Sequence, residues 1–350
     1  MSIHVAVFGT EEEWNATSGS EEEWDAFAST QTGFTHYHRF RWRTVIERVF
    51  GHQCMYLGAR DDKGTLVGIL PLVRVRSLVF GHYLVSMPFL NYGGPLGTDA
   101  GVRALVDEAI ALARRDRVKL MELRSSGRID TVLPVSHRKI TVLLDLPKKP
   151  EELFASFDAK LRSQVRRPRK EGVTVQFGRD QLQPFFSVFS RHMRDLGTPT
   201  QSLAFFREVL NQFPDDCWIG CAYLAGRPVA GGCGFRFGEE FEMTWASSLR
   251  EHSREAPNML LYWAFMERAI ENGANLFNFG RCTPGSGTHR FKLQWGGREQ
   301  PLWWYRLASS DSITTPSPHD ARFRWAPRVW RKLPASIATR VGPAIVRNIP

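Results

Sequence analysis

No run of about 18 apolar residues occurs anywhere in this 350-residue chain, which excludes a helix spanning a bilayer. Its start, Met1-Ser2-Ile3-His4, lacks a basic segment followed by an apolar one, so no secretory signal is expected and a cytoplasmic home follows. Cysteine is sparse: Cys54, Cys217, Cys221, Cys233 and Cys282 are odd in number and have no framework spacing. Cys217 and Cys221 sit in an apolar run without nearby histidine, so buried free thiols are expected there rather than a metal site. Nothing resembles a set of metal ligands, and metal dependence is not expected. No heptad run argues for a coiled coil, and no recognised nucleic-acid module is present. From Ala321 to the end there is no acidic residue.

What the chain does contain is ordinary for a globular protein: 43% hydrophobic and 23% charged residues, enough core for one large or two ordinary domains. The formal charge of +10 implies an acidic partner, whether nucleic acid, anionic lipid or a phosphorylated substrate.

The order of elements repeats. Residues 55–60 and 66–75 read as strands around Asp61-Asp62-Lys63-Gly64, followed by a strand at 83–87, a loop at 88–95, a helix at 100–115 and a strand at 118–123 ending at Arg124. The second half reads 219–224 and 229–237 around Ala225-Gly226-Arg227-Pro228, then a strand at 241–248, an amphipathic helix at 259–272 and a strand at 275–279, with Arg281 just beyond. Two similar α/β lobes follow, each a mixed sheet with helices. We expect an N-terminal lobe over 1–147, a C-terminal lobe with the main cleft over 148–308, and a tail over 309–350. Pro147-Lys148-Lys149-Pro150 marks the junction.

Between the lobes, residues 151–172 read as helical and carry Arg162, Arg166 and Lys170 at every fourth position, on one face. That face is either a solvated basic surface or a phosphate clamp. Pro168 predicts a kink or helix end nearby. In the tail, seven basic residues alternate with Trp325, Val329, Trp330, Leu333, Ile337, Val341, Ile345 and Val346. That mixture suits an anionic membrane surface, or packing back on the protein. Gly342 and the prolines at 327, 334, 343 and 350 break any long helix.

The segment 241–295 is the most informative. Pro257 fits a helix start and Gly273 a helix stop. Open N–H groups at such a start favour an anionic group. The polar loop 280–288 follows the last strand. Arg281 and Lys292 flank it as candidates for binding phosphate or carboxylate, or for a structural ion pair. Thr283, Ser286 and Thr288 are candidate substrate contacts, with helix capping as the plainer role for Ser286 and Thr288. Asn258 is a cap or a substrate contact. Trp245 reads as core or cleft wall. Glu242 on its strand, and Asp195 in a loop at 193–199, are the candidate bases. His52 and His252 read as structural. Cys282 is the one thiol in the loop, but no histidine and acid can be placed beside it as a nucleophile requires. Asn91 and Tyr92 occupy the first lobe's equivalent loop and are expected to face the acceptor.

Taken together, several segments resemble one family. They are Trp245-Ala246-Ser247-Ser248-Leu249-Arg250, Pro257-Asn258-Met259-Leu260-Leu261-Tyr262-Trp263, Phe279-Gly280-Arg281, Ser286-Gly287-Thr288 and Phe291-Lys292. Phe50-Gly51-His52, Asn91-Tyr92-Gly93-Gly94, Leu161-Arg162-Ser163-Gln164 and residues 193–199 add to them. Over about residues 30–305 the chain resembles the FemAB-type proteins associated with exosortase (PEP-CTERM) exopolysaccharide systems. The resemblance implies two tandem lobes of the GCN5-related N-acetyltransferase (GNAT) fold. It implies an acyl or aminoacyl transferase acting on an amine, or a hydroxyl, of an envelope saccharide or of a peptidoglycan or exopolysaccharide precursor. The co-substrate would be acyl-CoA or aminoacyl-tRNA, with no tightly bound cofactor. Partners would be a saccharide or lipid-linked precursor and tRNA, and the protein would sit in the cytoplasm or against the inner face of the membrane. A non-catalytic binding or assembly factor of an exopolysaccharide system is the alternative. One departure stands out: Arg250-Glu251-His252-Ser253-Arg254-Glu255-Ala256-Pro257-Asn258 replaces the Arg/Gln-x-x-Gly-x-Gly/Ala pyrophosphate loop of simple acetyltransferases. The usual mode of CoA binding is therefore not expected there.

Overall fold

The computed structural model describes residues 2–8, 20–77, 80–309 and 326–349. The chain divides into two compact units. Unit 1 holds 1–139, 301–316 and 347–350; unit 2 holds 140–300 and 317–346.

In unit 1 the elements are β1 (Ile3–Phe8), α1 (Glu21–Thr30), α2 (Trp42–Phe50), β2 (Gln53–Asp61), β3 (Leu66–Ser77), β4 (Gly81–Ser86), β5 (Leu96–Gly97), α3 (Asp99–Arg115), β6 (Leu120–Ser125) and β7 (Val135–Ser136). The β2–β3 hairpin closes where expected, because Asp61 Oδ1 accepts from the amides of Lys63 and Thr65 and Gly64 takes a positive φ. Thr98 caps α3 by accepting from Gly101 N. The sheet runs β1-β2-β3-β4-β6, and β4–β6, its only parallel pair among the described residues, is in register at three positions. Arg124 lies inside β6, one residue before its end, not beyond the strand as expected. It is buried and pairs at 2.8 Å with the fully buried Glu122.

Unit 2 begins with β8 (Ile140–Asp145), α4 (Pro150–Ser156), α5 (Ala159–Lys170), β9 (Thr174–Phe177), α6 (Leu182–Leu196) and α7 (Leu203–Gln212). It continues with β10 (Cys217–Leu224), β11 (Arg227–Phe237), β12 (Glu240–Ser248), α8 (Pro257–Glu271), β13 (Leu276–Cys282), α9 (Gly287–Leu293) and β14 (Arg298–Pro301). Its sheet order is β14-β8-β13-β12-β11-β10-β9, with β12–β13 its parallel pair. The next strand, β15 (Trp303–Ala308), returns to unit 1 and pairs with β6 and β7, where Arg306 adds a second cation to Glu122. Each half thus borrows a strand from the far side of the 147 and 308 boundaries: β8 adds to the second sheet and β15 to the first.

Helices cover unit 2's sheet on both faces. A Cβ on Gly231 would meet Phe185 of α6, whereas one on its neighbour Gly232 would meet Phe265 of α8 at 2.8 Å. Alternate positions of a strand point to opposite faces, so α6 and α8 lie on opposite sides. The residues read as helical at 151–172 form two helices, because Asp158 leaves helical geometry to cap α5 and accepts from Leu161 N. The helix end expected near Pro168 is found two residues later, where α5 stops at Lys170. The helix α8 starts at Pro257 and stops before Gly273 (φ 83°), as expected. It is not amphipathic, however. Its outer side is covered by α4 and α5, and Trp263 packs against Phe154 and Phe157 at 5.2 and 5.8 Å.

The tail forms α10 (Ala326–Trp330) and α11 (Ala335–Val346), both resting on α6; Arg322, Arg324 and Trp325 lie outside the described residues. Pro334 separates the helices, while Gly342 and Pro343 sit inside α11 without breaking it. All five cysteines are buried free thiols.

Because Gly232 is where Phe265 of α8 enters the sheet, Gly232→Ala should destabilise unit 2 by about 1–3 kcal/mol through overpacking. Urea denaturation compared with wild type measures this.

Candidate active site

Parallel pairing between β12 and β13 is confined to Glu240–Glu242 against Leu276–Asn278. Beyond that the two strands part, each for a local reason. In β12, Cys233 faces Trp245 while Gly234 faces Met243, so Thr244 is an extra residue and the strand bends. In β13, Asn278 faces Leu143 while Arg281 faces Thr141, so two residues span one step and Gly280 adopts a left-handed φ of 72°. The ladder between the two strands therefore ends at Glu242 and Asn278, leaving a gap in the pairing beyond them.

The polar side of this gap is set by alternation. Phe241 and Met243 point into the α8 core, as do Phe277 and Phe279, so Glu242 and Asn278 point away from it. Asn278 Oδ1 accepts from Thr141 Oγ1 at 2.5 Å and from Gly280 N at 2.9 Å, and its Nδ2 donates to Glu240 at 2.8 Å. Burial, and then the charge of Glu242, push the Glu240 carboxyl up to about 7.

Lys292 enters from α9. Its Nζ donates to the carbonyls of Gly280 at 2.6 Å and Arg281 at 3.2 Å, and the side chain is buried. Burial pushes its ammonium down to about 8; Cys282 and Glu242 resist that shift, and Arg281 adds to it. Glu242 is itself fully buried. Lys292, Glu242 and Arg281 are thus brought together around one bulge. At the start of α9, Ser286 is a cap that accepts from His289 N, and it also shares a hydrogen bond with Thr288 Oγ1. Thr283 is exposed just before that turn. Asn258 lies in the first turn of α8 and makes no cap, since the capping position is Ala256 in left-handed geometry. The neighbouring Met259 accepts from Gln294 beyond α9, which holds the start of α8 beside the end of α9.

Other expected residues are placed elsewhere. Trp245 is buried and packs edge-on against Phe205 and Phe206 of α7 at 5.6 and 5.2 Å, so it is core. Tyr92 is buried edge-on against Tyr37, whose hydroxyl accepts from Asn91; both are interior to unit 1, which corrects their expected exposure to an acceptor. Arg162 and Arg166 line a cavity of about 500 Å³ outside α8, together with Arg169, Phe154, Trp263 and Glu267. There Arg162 donates to the carbonyls of Ala155 and Phe157, and Arg166 lies over the Phe154 ring. Lys170 does not line it. Residues 193–196 are helical, not loop, and Asp195 accepts from Arg194 at 2.7 Å.

Two residues escape a reading of the sequence. His192 Nδ1 of α6 and Ser247 Oγ of β12 share a hydrogen bond of 2.9 Å. Burial, and then Arg250, lower the imidazole from its usual range, opposed by Asp195. Simple alternation from Glu242 would put Ser247 among the apolar residues. The Thr244 bulge reverses the phase, so Trp245 and Ser247 share the face of Glu242.

With this geometry in place, the comparisons are concordant. Residues 155–293 match the model of the Acetyltransferase (GNAT) domain, a segment containing every candidate residue of unit 2. The crystal structure of FemX superposes with a TM-score of 0.63 at 16% identity, covering 83% of this chain and 96% of that one. L-PGS from Bacillus licheniformis gives 0.56 at 14%, covering 90% and 98%. A tandem GNAT protein from the clavulanic acid biosynthesis pathway gives 0.52 at 12%, covering 89% and all of that chain. No curated protein matches this chain. The fold is therefore the GNAT type in tandem, two mixed sheets each flanked by helices, and its second half matches the acetyltransferase domain.

The depressed Lys292 has a thermodynamic signature. Its folded value, about 8, lies below the usual 10.5, so between those values the unfolded chain holds more protons and stability rises with pH. Lys292→Met should be favoured over wild type most below pH 8, with the advantage shrinking as pH rises toward 10.5. Paired urea titrations across that range give the difference.

Proposed function

We propose that this protein is an acyl or aminoacyl transferase of the FemAB kind, moving an activated acyl group onto an amine of an envelope saccharide or its precursor. The observation that carries this reading is the gap between β12 and β13 with buried Glu242 and Lys292 beside it. An activated carbonyl held in such a gap meets strand backbone on both sides and a buried cation at its base. Attack by the amine develops negative charge on the carbonyl oxygen, which fixed positive charge in a water-poor site stabilises. The amine must also lose a proton. Neutral His192, half-buried on the same face, is assigned as its acceptor, with Ser247 orienting the ring. Glu242 favours the protonated form of Lys292. The reaction goes by direct attack, with no covalent enzyme intermediate: the tetrahedral adduct collapses as the C–S bond of acyl-CoA or the C–O bond of aminoacyl-tRNA breaks, and the proton taken by His192 is returned to the departing thiol or ribose hydroxyl. The donor is acyl-CoA or aminoacyl-tRNA. The uncapped start of α8 supplies N–H groups for the donor's phosphates in place of a glycine-rich loop. Residues 148–308 would carry the chemistry, in the cytoplasm or against the inner face of the membrane.

The reading is tested by supplying acyl-CoA esters and aminoacyl-tRNAs with amino-sugar acceptors and following transfer by mass spectrometry. His192→Ala should lower turnover by about 10²–10⁴-fold without altering the thermal melt. The pH profile should be a bell: rising through the histidine limb below 6.5 and falling as Lys292 loses its proton near 8. Ligand binding without transfer from any donor would favour the binding-factor alternative instead. Unchanged turnover in both His192→Ala and Lys292→Met would remove the assigned site.

A further inference from the structure

The tail carries an observation that the acyl-transfer site does not use. One side of α11 is spent on α6 and the segment after it: Ala338 is buried, and a Cβ on Gly342 would stand 3.1 Å from Thr200 N. The docking is reinforced around it. Arg194 donates to Leu333 O and Arg331 to Leu196 O, and Pro327 lies so close to Gly197 that a Cβ there would be 2.7 Å from its carbonyl. These contacts fix which side of the tail faces outward.

That outward side is the reverse of what solvent selects. Among the described residues, six large apolar side chains are exposed, and four lie here: Val329 at 50%, Ile337 at 47%, Val341 at 43% and Leu196 at 39%. Ile337 and Val341 are four apart and stand side by side on the helix. Exposed Arg328, Arg331, Lys332 and Arg340 surround them, and residues 326–349 contain no carboxylate. On α10 and α11 the charges around the protruding aliphatic tips are all cationic, and the carboxylate at the end of α6, Asp195, is already paired with Arg194; such a surface complements a sheet of anionic headgroups over hydrocarbon.

We infer that α10, α11 and the end of α6 form a docking face for an anionic phospholipid surface, with Val329, Ile337 and Val341 entering the headgroup boundary and Arg328, Lys332 and Arg340 meeting phosphates. This inference is independent of the acyl-transfer reading, since none of these residues belongs to the β12–β13 gap.

The test uses the full chain and sedimentation with phosphatidylcholine vesicles containing roughly one third phosphatidylglycerol, against vesicles of phosphatidylcholine alone. The protein should pellet with the first and not the second, and salt should weaken the association. The variant Ile337→Ser/Val341→Ser, which leaves every charge in place, should bind about tenfold more weakly with an unchanged melt. The variant Arg328→Gln/Lys332→Gln/Arg340→Gln should lose the preference for anionic lipid. The inference is overturned if the protein ignores anionic vesicles, or if the serine variant binds them like wild type. It is equally overturned if RNA displaces the vesicles and binds wild type and serine variant alike, because the face would then be a polyanion site.

Discussion

A buried ammonium cannot persist without acceptors, and the arrangement of unit 2 around Lys292 follows from that requirement. Its two carbonyl partners, Gly280 and Arg281, are available because β13 bulges there, and the bulge is tolerable because Gly280 has no Cβ. Asn278 and Thr141 then hold the bulge from the side of β8. The same distortion carries β13 away from β12. One constraint therefore ties together a strand from the first half of the sequence, the parallel pair, the helix after it and the gap between them.

The two units share a topology and use it differently. In unit 1 the parallel pair β4–β6 also has three positions in register, but the acid beside it, Glu122, is closed off by Arg124 and Arg306. A carboxylate held by two guanidinium groups is a structural tie that resists replacement of either partner. In unit 2 the corresponding strand carries Asn278 and the charge sits on Lys292 with a depressed pKa. The shared architecture thus surrounds a neutralised carboxylate in one unit and a buried ammonium in the other.

Much of this was legible in the residues. The hairpins announced themselves through Asp61–Gly64 and Ala225–Pro228, and Pro257 and Gly273 bracketed α8, because those signals are local. Glu242, Arg281 and Lys292 were nameable for the same reason, all lying in one short segment. What escaped was non-local. His192 meets Ser247 across 55 residues, and only the Thr244 bulge turns Ser247 toward it. Amphipathicity was wrongly expected of α8 because α4 and α5, about a hundred residues earlier, cover its outer side. Tyr92 shows the limit of reading a polar tip as facing a ligand, since it is packed edge-on against Tyr37, whereas Trp245 is packed among aromatic rings as a core reading expects.

The borrowed strands carry a consequence for biosynthesis. The first sheet cannot cover β6 until Trp303–Ala308 has been made, long after its other strands have left the ribosome. Until then the nascent chain presents a bare sheet edge, the kind of surface that invites pairing with other chains. Folding of the N-terminal half is in this sense deferred rather than vectorial. A protein truncated before residue 303 would be left with that edge exposed for good.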